Sequence, residues 1–361
     1  MKKRLVKLTG TLLLCITVLS GCAKIDNTKE AVNKTTIEPN QTAEVVSGVD
    51  ATPIVEPTNV PTIEKIDVSV AALKGPTAMG LVQMIDQSEQ GLTANNYSLT
   101  VAGAADEITA GIIKGDYPIA AVPCNLASVL YAKSNGAIKV AGINTLNVLY
   151  IVETGDTIKS VEDLRGKTIY STGKGTTPEY TLSYLLKANG IDPKKDVTIE
   201  FKSEATEVAA ILSESENAVA MLPQPYVTTV MMNNDKVRVA LDIAKEWDAS
   251  SDNGSSVVTG VIVVNTAFLE EHKEVVDLFL KEYQASVAYA NEDIDGVSSL
   301  IEKYNIIKKG VAMKAIPHCN IVLIQGDEMK TKISGYLEVL YNQEPASVGG
   351  NMPDDNFYYQ P

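Results

Sequence analysis

Short runs of β-branched and other apolar residues alternate with amphipathic segments from about residue 65 to residue 265. Runs of this length predict strands, and segments whose apolar residues recur at helical spacing predict helices. A first series of strand-helix units begins at Lys65, and a second begins at Lys167. The alternation predicts an α/β fold whose strands are mostly parallel.

The predicted elements fall into two sets and a tail. The predicted strands are residues 66–72, 97–101, 119–122, 138–144, 146–153, 167–171, 197–201, 218–222, 237–242 and 257–265. The predicted helices are residues 76–87, 104–114, 125–133, 177–188, 204–213 and 225–232. From Phe268 onward the pattern predicts helices only.

Two long strands connect the two series, at residues 146–153 and 257–265, and they predict a hinged pair of lobes with a cleft between them. The expected boundaries place the first part of lobe I at residues 64–150 and lobe II at 151–256. Residues 257–361 are then a return strand and helices that pack on lobe I. Ligands of open α/β sheets bind at the carboxyl ends of strands, so the cleft is the expected binding site.

A different pattern occupies the start of the chain. A basic segment precedes an apolar run at residues 12–19, which ends in Leu19-Ser20-Gly21-Cys22. This order predicts a signal peptide over residues 1–21. It resembles the bacterial lipobox, which implies cleavage before Cys22 and attachment of lipid to its sulfur. The alternative is a chance cysteine in an ordinary signal peptide.

Residues 23–63 contain no aromatic residue and no sustained periodicity, and they include Pro39, Pro53, Pro57 and Pro61. Such a segment buries too little apolar surface to order itself. We interpret residues 23–63, together with Cys22, as a disordered, extended tether between the lipid and the folded part.

Composition and charge limit the classes of partner that the protein is expected to bind. Hydrophobic residues make up 45% of the chain, as expected of a globular body. The formal charge of −14 falls to −18 when the four basic residues of the signal are removed. This acidity argues against nucleic acid and against broad contact with anionic lipid. No second apolar run reaches membrane-spanning length, so Cys22 would be the only membrane attachment.

Cysteine and histidine are sparse. After Cys22, only Cys124 and Cys319 remain, and the sequence leaves open whether they form a disulfide. With His272 and His318 they offer no zinc ligand set, so we expect neither a metal nor another cofactor.

Two loops combine glycine, proline and threonine where a predicted strand turns into a helix: residues 74–80 and 172–180. Free amide groups and the helix dipole attract negative or hydrogen-bond-accepting groups at such positions. Plain helix capping is the alternative for each loop alone. Neither loop is a nucleotide motif, because Val161 and Pro178 stand where glycines are required, so ATP and NAD are not expected.

Several features support a resemblance to a known family. They are these two loops, the lipobox, the spacer, the Pro-Cys-Asn sequence at residues 123–125, the Pro-Gln-Pro-Tyr turn at residues 223–226 and the helical tail. Together they resemble a solute-binding lipoprotein of an ABC importer, of the group that binds nitrate, sulfonate, taurine and thiamine precursors. The resemblance implies a two-lobed, type II periplasmic-binding-protein-like fold with a double hinge and a helical tail. It also implies an extracytoplasmic, lipid-anchored monomer that delivers a small molecule to a permease and its ATPase.

Carried over residue by residue, the resemblance places ligand contacts at ten positions. They are Gly75, Pro76, Thr77, Cys124, Asn125, Thr176, Thr177, Tyr180, Gln224 and Tyr226. Asn125 and Gln224 both donate and accept hydrogen bonds, which suits a polar ligand in a closed site. The two tyrosines and Trp247 could stack on a planar ring, with core packing as the alternative.

The expected ligand stays open between a sulfonate, a nitrate-like anion and a heteroaromatic vitamin precursor such as a pyrimidine. Lys174 could bring charge to an anion, but Arg165 and Arg238 show no spacing that defines an anion clamp.

Two other functions stay open as well: a membrane-anchored receptor that signals ligand occupancy, and an enzyme on the same fold. The enzyme is disfavoured because adjacent His318 and Cys319 do not form a dyad by sequence alone.

Overall fold

A computed structural model describes residues 64–360. The predicted signal peptide, the lipid site at Cys22 and the tether at residues 23–63 lie outside the described residues. Within residues 64–360, no helix combines the length and the apolar character needed to cross a membrane.

The strands in chain order are β1 Asp67–Leu73, β2 Asn96–Ala102, β3 Ile119–Pro123, β4 Ile138–Thr145, β5 Leu149–Thr154, β6 Thr168–Ser171, β7 Thr198–Phe201, β8 Val219–Pro223, β9 Val237–Asp242, β10 Gly260–Asn265 and β11 Ile321–Ile324. The helices are α1 Pro76–Met79, α2 Val82–Glu89, α3 Asp106–Lys114, α4 Cys124–Lys133, α5 Thr177–Ala188, α6 Ala205–Glu214, α7 Tyr226–Asn233, α8 Ile243–Ser250, α9 Thr266–Glu271, α10 Lys273–Glu292, α11 Ile294–Lys303, α12 Lys309–Ala315 and α13 Gly326–Gln343. Short 3₁₀ turns include Ile316–His318.

Two sheets organise residues 64–360. One has six strands in the order β11-β4-β10-β3-β1-β2, and the other has five in the order β7-β6-β8-β5-β9. We call the six-stranded sheet with its helices the first lobe, and the five-stranded sheet with its helices the second lobe. The chain crosses between them after β4 and again before β10, and the crossings touch where the Thr259 amide donates to the Thr145 carbonyl at 3.0 Å. The mixed α/β class predicted from the sequence is confirmed.

Most strands of each sheet run in one direction, as the sequence predicts. Strands β1, β2 and β3 pair in parallel, as do β6, β7 and β8, but β10, β11 and β5 run antiparallel to their partners. The difference arises because β5 and β10 enter their sheets from the opposite lobe, without the crossover helix that makes neighbouring strands parallel.

The expectation that the chain is helical from Phe268 to its end is wrong. The apolar residues Ile321–Ile324 form β11, which pairs antiparallel with β4 at the edge of the first sheet. A run of four residues within a long helical pattern is too short for periodicity to identify as a strand.

The helix predicted at residues 76–87 is divided between α1 and α2, with Gly80 in the gap. A Cβ atom at Gly80 would lie 2.8 Å from the Tyr283 hydroxyl and 2.9 Å from Ile321 Cγ2. Glycine therefore lets this turn approach α10 and β11. The buried Ser286 hydroxyl joins the same elements, donating to the Gly80 carbonyl at 2.6 Å and accepting from the Met84 amide at 3.1 Å.

The tail contacts both lobes. Helix α10 packs on α2 in the first lobe, whereas α13 packs on α5 in the second. Trp247, on the unpredicted helix α8, is fully buried between Tyr184 of α5 and Tyr336 of α13, with ring centroids 4.4 and 5.4 Å away. The Tyr336 hydroxyl also lies 3.2 Å from that of Thr181. This aromatic cluster attaches α13 to the second lobe.

A buried carboxylate stabilises the outer end of the second sheet. Glu153 is 2% exposed and accepts hydrogen bonds from the Thr157 amide at 3.1 Å, the Thr157 hydroxyl at 3.0 Å and the Ile158 amide at 3.1 Å. It also pairs with the Arg238 guanidinium. Burial raises the pKa of Glu153, but these hydrogen bonds and the Arg238 charge outweigh it, so the net pKa lies below its usual range.

We expect Glu153→Gln to lower the free energy of unfolding by about 2 kcal/mol at neutral pH, because hydrogen bonds to a charged group are lost. A carboxylate with a lowered folded pKa contributes stability that is present above its unfolded pKa and is lost as pH falls through the folded value. The variant should therefore lose less stability than wild type between pH 7 and about pH 3. Urea unfolding at both pH values measures this, with Glu214→Gln on the exposed end of α6 as control. Equal acid sensitivity of wild type and Glu153→Gln would contradict the assignment.

Candidate functional site

A cavity of about 600 Å³ lies between the two lobes. Eight of the ten predicted contact residues line it: Gly75, Pro76, Thr77, Asn125, Thr176, Thr177, Gln224 and Tyr226. They come from the ends of β1, β3, β6 and β8, where each strand turns into the following helix. The carboxyl edges of the two sheets therefore face one cavity, as open α/β sheets position their ligand sites.

The first lobe contributes the turn from β1 into α1. Gly75 caps α1 with φ of 127°, a left-handed conformation that favours glycine. Proline follows at the first helical position, where its missing N–H costs nothing. The Thr77 hydroxyl donates to the Leu73 carbonyl at 2.8 Å, and the Asn144 amide donates to the Thr77 carbonyl at 2.9 Å. These bonds fix the backbone of the loop at the wall of the cavity.

The start of α4 lies beside this loop. The Asn125 side-chain amide donates to the Ser347 carbonyl at 3.4 Å, and its oxygen accepts from the Thr177 hydroxyl at 3.2 Å. Because Asn125 is in the first lobe and Thr177 begins α5 in the second, this bond joins the lobes across the cavity. The lobes are close enough here for one ligand to touch both.

The glycine-rich turn before α5 forms part of the opposite wall. Gly173 and Gly175 have φ of 73° and 74°. Glycine adopts this left-handed conformation readily, so the chain can reverse direction before the helix. The Thr176 hydroxyl donates to the Gly173 carbonyl at 2.6 Å, and the Glu179 carboxylate accepts from the Gly175 amide at 2.6 Å. The first turn of α5 thus begins at the cavity with backbone amides that no helical carbonyl can pair.

Gln224 is the most enclosed amide side chain of the cavity, at 3% exposed. Its carbonyl oxygen accepts from the Thr228 amide at 3.3 Å and from the Thr228 hydroxyl at 2.8 Å. Its amide nitrogen has no hydrogen-bond partner within residues 64–360, and a ligand acceptor could satisfy it. Tyr226 follows at the start of α7 with 41% of its surface exposed, so its ring is available at the cavity.

Cys124 and Tyr180 are not brought to this cavity. Cys124 is fully buried in the core, and burial raises the pKa of its thiol. Tyr180 lies in a separate surface groove with Gln343, whose amide donates to the Tyr180 carbonyl at 2.8 Å. Burial, Glu179 and Glu344 raise the pKa of the Tyr180 hydroxyl.

Trp247 does not line the cavity either, because it is fully enclosed and its indole N–H donates to the Ser255 hydroxyl at 3.0 Å. Its packing in the aromatic cluster matches the core-packing alternative. Cys124 and Cys319 are both free and buried, so no disulfide links them.

Among the lining residues that the sequence prediction did not include are Lys74, Thr259, Ile306 and Ile307. Thr259 precedes β10, and its hydroxyl is buried without a hydrogen-bond partner in the described part of the chain. The two isoleucines lie between α11 and α12, far along the chain from the other contacts. The only available signal for them was an apolar pair in an otherwise polar connection.

The cavity is largely uncharged. Among its described lining residues, Lys74 is the only lysine, arginine, aspartate or glutamate. Arg165 and Arg238 are engaged elsewhere, the first with Asp196 at 2.6 Å and the second with Glu153. Lys174 lies in the groove beside Tyr180. No group of three histidine, cysteine, aspartate or glutamate side chains within residues 64–360 could hold a metal ion.

Comparison with known proteins gives a partial match to one family model and matches to several solved structures. Residues 127–295 match the model of the family described as NMT1/THI5 like. No curated protein matches the chain.

Among solved structures, an ABC transporter protein from Parabacteroides distasonis is 23% identical, with a TM-score of 0.67 over 81% of this chain and 98% of that one. The periplasmic aliphatic sulphonate-binding protein of Escherichia coli is 14% identical, with a TM-score of 0.66 over 82% and 92%. A zinc-bound ligand-binding component of an ABC-type import system from Staphylococcus aureus is 17% identical, with a TM-score of 0.61 over 82% and 97%. The chain therefore has the periplasmic-binding-protein-like fold.

Proposed function

We propose, on the likeness to the NMT1/THI5-like family and to the importer components with this fold, that the protein is the substrate-binding component of an ABC importer. In this proposal it captures a small molecule in the cavity between the lobes and delivers it to a permease. The observation that carries the proposal is the convergence of strand-to-helix turns from both lobes on one cavity.

The chemistry of the cavity favours a ligand with an apolar or aromatic body and few polar groups. Its volume is that of sites for small organic molecules and far exceeds what a nitrate ion would fill. Prolines, Leu126, Ile306 and Ile307 supply apolar contact, while Asn125 and Gln224 supply hydrogen bonds. A heteroaromatic vitamin precursor or an organic sulfonate fits this lining better than a nitrate-like anion does.

Recognition follows from the two-lobed arrangement. A ligand that contacts Thr77 and Asn125 in the first lobe, and Thr177 and Gln224 in the second, favours the closed arrangement over an open one. Closure excludes water from the amide groups, which strengthens their hydrogen bonds. The surface of the closed form is then what a permease would recognise. No catalytic step is proposed, since binding and release suffice.

Lipid on Cys22 would hold the protein on the extracytoplasmic face of the membrane, and residues 23–63 would act as the tether. A monomer is proposed, because one copy of the chain forms the whole cavity.

The proposal predicts thermal stabilisation of a soluble form, residues 23–361, by one class of ligand. A ligand that binds only the folded state adds about 2.7 kcal/mol of stability at 100 times its dissociation constant. A melting-temperature screen should therefore include alkanesulfonates, nitrate, pyrimidines, flavins and other vitamins. A shift with pyrimidines or sulfonates but not with nitrate is the expected result. The absence of any shift across these classes would contradict the proposed cargo.

A further inference from the structure

A second cavity, of about 570 Å³, shares Gln224 with the interlobe cavity. Both lobes line it. Helix α7 and the start of α8 contribute from the second lobe, while the end of α12 and the following 3₁₀ turn contribute from the first. The Tyr150 hydroxyl crosses between the lobes here, donating to the His318 carbonyl at 3.2 Å. Nothing in the proposed import function uses this cavity.

Part of its lining is hydrocarbon that faces solvent. Met231 and Met232 on α7 are 40% and 44% exposed, and Val239 on β9 is 37% exposed. These are among the few large apolar side chains exposed in the described part of the chain. Val227, which is almost fully buried, lines the same cavity. An apolar group of a ligand would cover this surface.

The charged part of the lining is predominantly basic. Lys245 comes from the second lobe and Lys314 from the first, and neither forms an ion pair with any residue in 64–360. The one carboxylate of the described lining, Asp242, caps α8 by accepting from the Ala244 amide at 3.0 Å. Two unpaired lysines at one cavity are notable in a chain of net charge −14.

We propose that this second cavity binds a small organic anion that carries a short hydrocarbon portion. The anionic group lies between Lys245 and Lys314, and the hydrocarbon lies on Met231, Met232 and Val239. Because the lysines come from different lobes, the anion bridges the lobes outside the interlobe cavity. An occupant therefore favours the same closed arrangement as a ligand in the interlobe cavity.

Methionine-methyl NMR distinguishes the two cavities, because Met231 and Met232 report on the second and Met79 lines the first. The probe is octanoate, compared with octanol and octylammonium. We expect octanoate to shift the methyl signals of Met231 and Met232 saturably, and octanol and octylammonium to have much weaker effects. The signals are assigned by single methionine-to-leucine variants.

The double variant Lys245→Ala, Lys314→Ala should weaken octanoate binding about tenfold or more, as expected when charge-assisted contacts are lost. The matched control, Lys114→Ala with Lys281→Ala, removes the same charge from exposed lysines that lie outside the cavity, and it should bind octanoate as wild type does.

Three outcomes would overturn the proposal. One is the absence of a saturable shift at Met231 and Met232, including the case in which only Met79 responds. Another is equal binding of octanol, which would show that the charge is not recognised. The third is unchanged octanoate affinity in the Lys245→Ala, Lys314→Ala variant.

Discussion

Replacing Trp247 with alanine is expected to lower the free energy of unfolding by about 3–5 kcal/mol, because it empties a fully buried aromatic site. The change removes ring contacts to Tyr184 and Tyr336 and leaves the Ser255 hydroxyl without its indole donor. It should also loosen the attachment of α13 to the second lobe. Few other single substitutions in the described part of the chain remove as much buried surface.

Urea unfolding of the Trp247→Ala variant measures this loss directly. Trp247→Phe retains an aromatic ring and should cost less, which separates packing from the loss of the hydrogen bond. If Trp247 instead stacks on the ligand, Trp247→Phe would weaken ligand binding with little effect on stability. A loss of less than about 1 kcal/mol for Trp247→Ala would contradict the core assignment, since buried aromatics contribute more than this.

Loss of the cavity amides is expected to weaken ligand binding by about 1–3 kcal/mol, or roughly five- to 150-fold in dissociation constant. Gln224→Glu is the more specific test of the Gln224 amide. A carboxylate still accepts a hydrogen bond from Thr228 but has no amide hydrogens to donate to the ligand. Asn125→Ala removes both a candidate ligand contact and the interlobe bond to Thr177.

Calorimetric titration of the ligand found by the screen provides the measurement. Thr177→Val removes the Thr177 hydroxyl and its bond to Asn125 while leaving the Asn125 amide in place, so a larger loss in Asn125→Ala than in Thr177→Val measures the contribution of the amide. Tyr180→Phe lies in the separate groove and should bind like wild type. The same affinity in wild type, Gln224→Glu and Asn125→Ala would show that these amides do not contact the ligand.

Local signals in the sequence were sufficient for elements with regular patterns and clear caps. Helix α5 has the predicted limits because Thr176 and Pro178 define its start and its apolar residues recur at helical spacing. The turn at Gly75 was identifiable because glycine, proline and threonine directly follow a predicted strand. The family resemblance, carried over residue by residue, named ten contacts, of which eight line one cavity.

Features that depend on packing between distant parts of the chain could not be predicted from local sequence signals. Strand β11 exists because four apolar residues complete the edge of the first sheet, and Gly80 interrupts a helix because Tyr283 approaches it. Ile306 and Ile307 reach the cavity only through the packing of α11 and α12. Tyr180 lies in another groove because the end of α13 passes beside it, which no local pattern indicates.

The central claim is that a small molecule binds between the lobes, and filling that space tests it most directly. Thr229 lines the interlobe cavity from α7, so Thr229→Trp should occupy part of the ligand volume, whereas Thr331→Trp places the same ring on the exposed face of α13. Calorimetry with the ligand from the screen should show binding to wild type and Thr331→Trp and none to a folded Thr229→Trp variant. Undiminished binding to Thr229→Trp would contradict the claim.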